Sequence, residues 1–208
     1  SIYDQSSAPG GRVTFKGILA NVERRLHLAR CFRQKLVHVP MDLDHPYWIE
    51  DPDFDVEFHV RHIALPQPGD WRQLCIQVAR IHARPLDLSK PLWEMYVIEG
   101  LDKVVGAPKD SFAVLTKVHH AAIDGVSGAE IAAALHDLSP DAEPPGPEHE
   151  WLPERTPTLA ELAGLPRPEV PHHFRKPGQV CRPVPGVDAD GEVRVERVLC
   201  GRDLADHR

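Results

Sequence analysis

The distribution of proline is the feature that most constrains how this 208-residue chain can fold. Twelve of its 21 prolines lie between Pro140 and Pro185. Proline fixes φ and removes a backbone hydrogen-bond donor, so regular structure cannot run far through this stretch. We therefore expect one folded domain over residues 1–139, a proline-rich linker or surface-wrapping arm over residues 140–187, and the start of a further domain over residues 188–208.

Helical and strand patterns alternate before the prolines. Helical spacing of apolar residues predicts a helix over 16–28, a second helix that follows a capping Asp70, and a third after Ala129. Three segments have strand patterns: FDVEFHVRHI, with Phe54, Val56, Phe58 and Val60 on one face, WEMYVIE and SFAVLTKV. The order helix, strand, helix, strand, strand, helix predicts an α/β fold or an α+β fold, with the strand directions left open.

Composition and charge exclude several classes of function. A formal charge of −7 disfavours nucleic acid as the main partner, because phosphate binding requires a basic surface. No segment approaches the ~20 apolar residues of a membrane span.

The cysteines form no CxxC pair, so we expect reduced thiols in a cytoplasmic protein and no zinc site. The chain begins with SIYDQSS, without a methionine, and ends with GRDLADHR, which is typical of the first turn of a helix. We therefore expect it to be a piece of a longer polypeptide. The cysteines are Cys31, Cys75, Cys181 and Cys200.

The segment TKVHHAAIDGVSGAEI concentrates polar residues at a strand-to-helix junction. The strand is expected to end near Val118 and the helix to begin near Gly128. Ser127 and Glu130 fit a capping box, in which each side chain satisfies a backbone N–H of the other residue. His119 to Gly125 therefore lie in a short turn at a strand end, a location where chemistry is often placed.

The residue types in this turn suit proton transfer. A neutral imidazole can take a proton near neutral pH, so a histidine beside a substrate hydroxyl can act as a general base. The alternatives are a structural histidine, or a metal site built from His119, His120 and Asp124. Neighbouring strand residues point to opposite faces, which argues against one ion using both rings, and we expect no metal. Serine-nucleophile, Walker A and GxGxxG signatures are absent from the sequence.

The residues HHAAIDG match the HHxxxDG motif of coenzyme A-dependent acyltransferases. The segments HPYWIEDPDFDVEFHVRHIALPQPG, ARPLDLSKPLWEMYVIEGL and TKVHHAAIDGVSGAEIAAALHDLSPD occur in that order. Together with the PLW at Pro91, Leu92 and Trp93, they resemble the bacterial wax ester synthase/diacylglycerol acyltransferase family. The resemblance extends from about Gly10 to Asp141 and fades in the proline-rich arm.

The resemblance implies a fold, a reaction and a set of site residues. It implies an α/β fold with a mixed sheet and flanking helices, one chloramphenicol acetyltransferase-like half of a two-domain acyltransferase whose C-terminal half is largely missing here. The reaction moves a long-chain acyl group from acyl-coenzyme A to diacylglycerol or a fatty alcohol, with no further cofactor. His120 is the implied base, and His119, Asp124 and Gly125 support it. A condensation domain acting on carrier-bound acyl groups, or a non-catalytic lipid- or partner-binding half, is the alternative.

Several residues outside the turn also receive a prediction. Trp93 is either a core aromatic or part of an acyl channel. His59, His62 and His82 are expected at the surface or half-buried. The basic groups at Arg24–Arg25 and residues 30–35 are expected to be solvated; alternatively, they attract anionic lipid at the inner membrane surface or at lipid inclusions. His172 and His173 receive no catalytic role.

Overall fold

In the described part of the chain, a four-stranded mixed sheet is packed against helices on both faces. A computed structural model describes residues 1–39, 41, 46–123, 127–137, 146–147, 151–153 and 155–162. Within these ranges the strands are β1 Ile2–Tyr3, β2 Gln34–Val37, β3 Tyr47–Glu50, β4 Val60–Ala64, β5 Trp93–Glu99 and β6 Phe112–Val118. The helices are α1 Phe15–Arg25, α2 Val56–His59, α3 Trp71–Ala83, α4 Ser127–Leu135 and α5 Leu159–Leu162.

The sheet has the order β1-β6-β5-β4, and β2 and β3 form a separate antiparallel hairpin. Strand β5 pairs in parallel with β4 and antiparallel with β6. Six of its seven residues are buried, as expected for a central strand covered on both faces. One face packs in the cluster that includes residues of α1 and α4, and the other packs against α3. The predicted α/β class with a mixed sheet and flanking helices is confirmed.

The predicted helices and the two later strands are also confirmed. Helix α1 starts after Thr14, whose side chain accepts the Gly17 N–H, and a 3-10 turn continues it to Leu28. Helix α3 starts after Asp70, which forms a capping box with Gln73. The helical spacing of Trp71, Leu74, Cys75, Val78 and Ile81 predicts one apolar stripe on α3. Leu74 and Ile81 are buried as expected, whereas Trp71 and Cys75 are exposed.

The predicted strand FDVEFHVRHI is wrong in its first half. Asp55 accepts the Glu57 N–H with its carboxylate and caps the single helical turn α2, so the strand begins only at Val60. The first residue pair of β4 with β5 is Val60 with Met95. The local cap therefore overrides the alternating pattern until pairing with β5 becomes available.

His59, expected at the surface or half-buried, is in the core with a relative exposure of 1%. Its ring stacks with those of Phe54 and Trp93, with centroid distances of 5.3 and 4.6 Å. Its Nδ1 is 2.7 Å from the Trp93 carbonyl oxygen. Its Nε2 is buried and has no hydrogen-bond partner in the described part of the chain. Burial lowers the pKa of His59, and the hydrogen bond to the Trp93 carbonyl and the carboxylates of Glu94, Asp51 and Asp55 oppose this only in part. His62 is exposed and His82 half-buried, as predicted.

Arg25 also differs from its expected place on a solvated helix face. Its side chain is 3% exposed and forms an ion pair with Asp137. It donates to the Asn21 side chain and, at 3.2 Å, to the Ala134 carbonyl oxygen, so it joins α1 to the end of α4. Lys35, from the second basic group, pairs with the fully buried Asp51 at 2.6 Å. These cations are therefore used inside the fold.

The described pieces of the proline-rich stretch contact the β2–β3 hairpin. The Trp151 indole donates to the Glu50 carboxylate at 3.0 Å, and the Arg33 guanidinium lies 4.9 Å from the Trp151 ring centroid. Leu162 of α5 is buried with Val39 and Tyr47. The segment EVRVERVLCGRDLADH, whose pattern predicts one more strand and the start of a helix, lies outside the described residues. Among the described helices, none combines the length and apolar character needed to cross a bilayer.

The lowered pKa of His59 predicts a pH-dependent stability. Below the ordinary pKa of 6.5 the unfolded chain takes up a proton at His59 that the folded core excludes. The free energy of unfolding should therefore fall as the pH drops through 6.5 towards the lower pKa of the folded state. The slope contributed by one proton is at most about 1.4 kcal/mol per pH unit.

Urea denaturation at a series of pH values from 7.5 to 5.5, chosen to span the ordinary histidine pKa of about 6.5, measures this slope. His59→Phe should flatten it, because the variant has no ring to protonate in the unfolded chain. Equal pH slopes for the wild type and His59→Phe would show that another group is responsible.

Candidate active site

The paired histidines follow the last residue of β6, at one edge of the sheet. Val118 of β6 is in register with Trp93 of β5. Just beyond this pair, the His119 N–H donates to the Leu92 carbonyl oxygen at 2.9 Å. The start of β5 therefore fixes the backbone position at which the histidine turn begins.

His119 caps the short 3-10 turn His120–Ala122. Its Nδ1 accepts the Ala121 N–H at 3.1 Å, and its carbonyl oxygen accepts the Ala122 N–H at 2.9 Å. Because Nδ1 accepts, the neutral His119 ring carries its proton on Nε2. Ala122 is buried and Ile123 half-buried, whereas His119 and His120 are exposed. The turn is thus anchored in the core at its far end, with both imidazoles on the surface.

The rest of the motif is described only in part. Asp124 and Gly125 lie outside the described residues. Ser127 is the first residue of α4, close to the expected helix start at Gly128, but the side chains of the predicted capping box lie outside the described part. The helical spacing of Ile131, Leu135 and Leu138 predicts an apolar stripe on α4. Ile131 and Leu135 are buried, as this prediction requires, and Leu138 is outside the described ranges.

The PLW residues form a buried support beneath this turn. Pro91 and Leu92 are fully buried, and Trp93 is 2% exposed. The Trp93 indole N–H donates to the Phe32 carbonyl oxygen at 2.9 Å, and the Phe32 ring meets the indole edge-on at 5.3 Å. Trp93 is therefore packed as a core aromatic, and its lining of an acyl channel stays a prediction.

On the face of the sheet that packs against α3, Lys117 and Glu94 make contacts that the sequence did not indicate. Lys117 lies two residues before His119, and its ammonium donates to the Ile81 carbonyl oxygen at 3.2 Å and to that of Arg84. A cation suits a helix C-terminus, so Lys117 ties β6 to the end of α3. Glu94, in register with Lys117, accepts the Tyr96 hydroxyl at 2.7 Å. Burial and this carboxylate raise the pKa of Tyr96.

This arrangement offers an imidazole that can take a proton from a group arriving at the surface. His120 is exposed at the start of a short capped turn, so its ring is accessible to a substrate hydroxyl, as a general base must be. Within the described ranges, no three side chains of histidine, cysteine, aspartate or glutamate are grouped to hold a metal ion.

Comparison with known proteins places these observations in a family. The sequence model of the wax ester synthase/diacylglycerol acyltransferase catalytic domain matches residues 1–205. A putative diacylglycerol O-acyltransferase of Mycobacterium tuberculosis H37Rv is 44% identical over 144 residues, which are 69% of this chain and 28% of that protein. A probable diacylglycerol O-acyltransferase of the same strain is 43% identical over 155 residues, 74% of this chain and 54% of that protein.

A solved structure agrees with the sequence comparison. The wax ester synthase/diacylglycerol acyltransferase of Marinobacter aquaeolei VT8 aligns with a TM-score of 0.50 and 33% identity, covering 64% of this chain and 32% of that one. The present chain thus spans about a quarter to a half of the length of these relatives. With a family match over nearly its entire length, the chain belongs to the wax ester synthase/diacylglycerol acyltransferase family.

Proposed function

We propose that this chain supplies the catalytic histidine of an O-acyltransferase that forms neutral lipid. The acyl donor is a long-chain acyl-coenzyme A, and the acceptor is the hydroxyl of diacylglycerol or of a fatty alcohol. The observation that carries the proposal is the capped turn that presents His120 at the surface. Relatives named as diacylglycerol O-acyltransferases support an acyl-coenzyme A donor over the carrier-bound donor of a condensation domain.

In the proposed reaction His120 acts as a general base. Its imidazole takes the proton of the acceptor hydroxyl while the oxygen attacks the thioester carbonyl carbon. The tetrahedral intermediate collapses, the C–S bond breaks, and the thiolate of coenzyme A receives the same proton from the imidazolium. His119 uses Nδ1 to hold the turn and therefore supports the base. Asp124 and Gly125 complete the supporting group in this proposal.

The proposal also assigns the chain to one half of a larger catalytic unit. Residues 1–139 form the N-terminal acyltransferase domain, residues 140–187 a proline-rich linker, and residues 188–208 the start of a C-terminal domain. A companion C-terminal half would cover the exposed His119 and His120 and exclude water from the thioester. The partial coverage of the relatives supports this division.

We further propose that the protein works in the cytoplasm and meets its substrates at the inner membrane surface or at lipid inclusions. Both substrates carry long acyl chains, and diacylglycerol resides in bilayers, so the site must reach an interface. Arg24 and Arg30 are exposed members of the basic groups and can attract anionic lipid. Arg25 and Lys35 are unsuitable for this role, because they pair with Asp137 and Asp51.

Replacement of the proposed base should abolish transfer. In the intact polypeptide that contains these residues, His120→Ala should lower the rate of acyl transfer from palmitoyl-coenzyme A to diolein or hexadecanol by about 100-fold or more. The melting temperature should change little, because His120 is exposed. Product is measured with radiolabelled acyl-coenzyme A.

The matched control is His62→Ala, which removes another exposed histidine and should leave the rate unchanged. The 208-residue chain alone should be inactive, and adding the C-terminal half should restore transfer. Full activity of His120→Ala would contradict the role of the base. An intact, folded polypeptide without activity on either acceptor would instead favour a non-catalytic lipid- or partner-binding protein.

Membrane contact through the exposed arginines can be tested by flotation with phosphatidylglycerol vesicles. Arg24→Ala combined with Arg30→Ala should weaken vesicle binding roughly 10-fold or more, because each basic residue near an anionic surface contributes about 1 kcal/mol. Arg72→Ala with Arg80→Ala removes the same charge from the exposed face of α3 and is the control. Equal losses in the two double variants, or no flotation of the wild type, would contradict this surface assignment.

A further inference from the structure

We infer that His59 is a positioning residue, whose buried ring fixes the PLW segment on which the His119–His120 turn is built. The inference rests on the proposed function, because it concerns the geometry of the same catalytic turn. In this role His59 contacts no substrate. It acts through the carbonyl groups of Trp93 and Leu92. Three successive contacts carry it.

The first contact joins His59 to the start of β5. The Trp93 carbonyl oxygen can only accept, so Nδ1 of His59 carries the proton of the 2.7 Å hydrogen bond. His59 is the last residue of α2, immediately before β4 begins to pair with β5. Its side chain therefore adds a hydrogen bond to β5 at a point that the β4 ladder has not yet reached.

The second contact fixes the ring of Trp93. The His59 ring stacks on the indole with an interplanar angle of 20°, and it also stacks with the Phe54 ring at 13°. The indole N–H is held by the Phe32 carbonyl oxygen. Trp93 is thus held at its carbonyl, on its ring face and at its ring nitrogen, so the backbone beside it has little freedom to rotate.

The third contact passes this constraint to the catalytic turn. The Leu92 carbonyl and the Trp93 N–H belong to one peptide unit. Its N–H donates to the Pro91 carbonyl oxygen at 2.9 Å, and its carbonyl oxygen accepts the His119 N–H at 2.9 Å. A change in the orientation of Trp93 therefore displaces the acceptor that fixes His119, and with it the turn that presents His120.

The unpaired Nε2 of His59 argues that packing alone does not explain this residue. A buried polar atom without a partner costs free energy, and a phenylalanine ring would stack with Phe54 and Trp93 without that cost. Phenylalanine would, however, leave the Trp93 carbonyl without its donor. What histidine adds over phenylalanine at this position is therefore the hydrogen bond of Nδ1.

Two substitutions separate the hydrogen bond from the packing. His59→Phe keeps a stacking ring and removes the donor. His59→Asn removes the ring, and its amide nitrogen can occupy the place of Nδ1. In the intact polypeptide, His59→Phe should lower kcat about 10- to 100-fold with KM for acyl-coenzyme A unchanged, because the base is misplaced. His59→Asn should recover most of kcat, although it loses the stacking. His62→Asn, which replaces an exposed histidine of β4, is the control and should retain wild-type kcat.

Hydrogen exchange followed by mass spectrometry supplies a readout that general destabilisation does not mimic. In His59→Phe the peptide spanning residues 117–122 should exchange about 10-fold faster, while the peptide of α3 exchanges at the wild-type rate. His59→Asn should restore the slow exchange. Unchanged kcat in His59→Phe, or equal acceleration in both peptides, would overturn the inference.

A measurement on the wild type covers the case in which His59→Phe does not fold. Nitrogen-15 spectra of histidine-labelled protein should show the buried ring as the Nδ1–H tautomer, and an Nε2–H tautomer would overturn the inference. If the wild-type protein transfers no acyl group, the proposed function fails, and the exchange experiment still decides whether His59 holds the turn.

Discussion

The hydrogen bond from the His119 amide to the Leu92 carbonyl is the contact on which the candidate site depends. It joins the end of β6 to the start of β5, one step beyond the last paired residues of these strands. The chain can then turn sharply, because Nδ1 of His119 accepts the Ala121 N–H where the strand pairing ends. The two exposed imidazoles therefore follow directly on the last paired residues of β5 and β6.

The surrounding core explains why this junction keeps its shape. Strand β5 is buried on both faces. Leu92 and Trp93, at its start, belong to the same hydrophobic cluster as Val22 of α1 and Ile131 of α4. Polar contacts add direction to this packing. Lys117 ties β6 to the end of α3, and Arg25 ties α1 to the end of α4. Helix α3 is thus held to β6, and α1 and α4 are held to each other on the other face of the sheet.

The sequence predicted those features whose cause is local. Strands β5 and β6 have continuous apolar runs, Asp70 sits at a helix start, and HHAAIDG follows a strand, so each could be located from its neighbours. It failed for residues whose surroundings come from distant parts of the chain. His59 is buried because Trp93 covers it, and Arg25 is buried because Asp137 reaches it from the end of α4. The alternating pattern in FDVEFH predicted a strand, but Asp55 caps a helical turn there. A pattern of apolar residues does not register such a cap.

The central claim is that His120 activates the acceptor for direct attack on the thioester. Rapid mixing of the intact polypeptide with palmitoyl-coenzyme A in the absence of acceptor, with release of the coenzyme A thiol followed in time, tests it most directly. Direct transfer predicts no burst of thiol and no acyl group on the protein, with release starting only when diolein or hexadecanol is added. A burst of thiol stoichiometric with the protein would reveal an acyl-enzyme and would contradict the account.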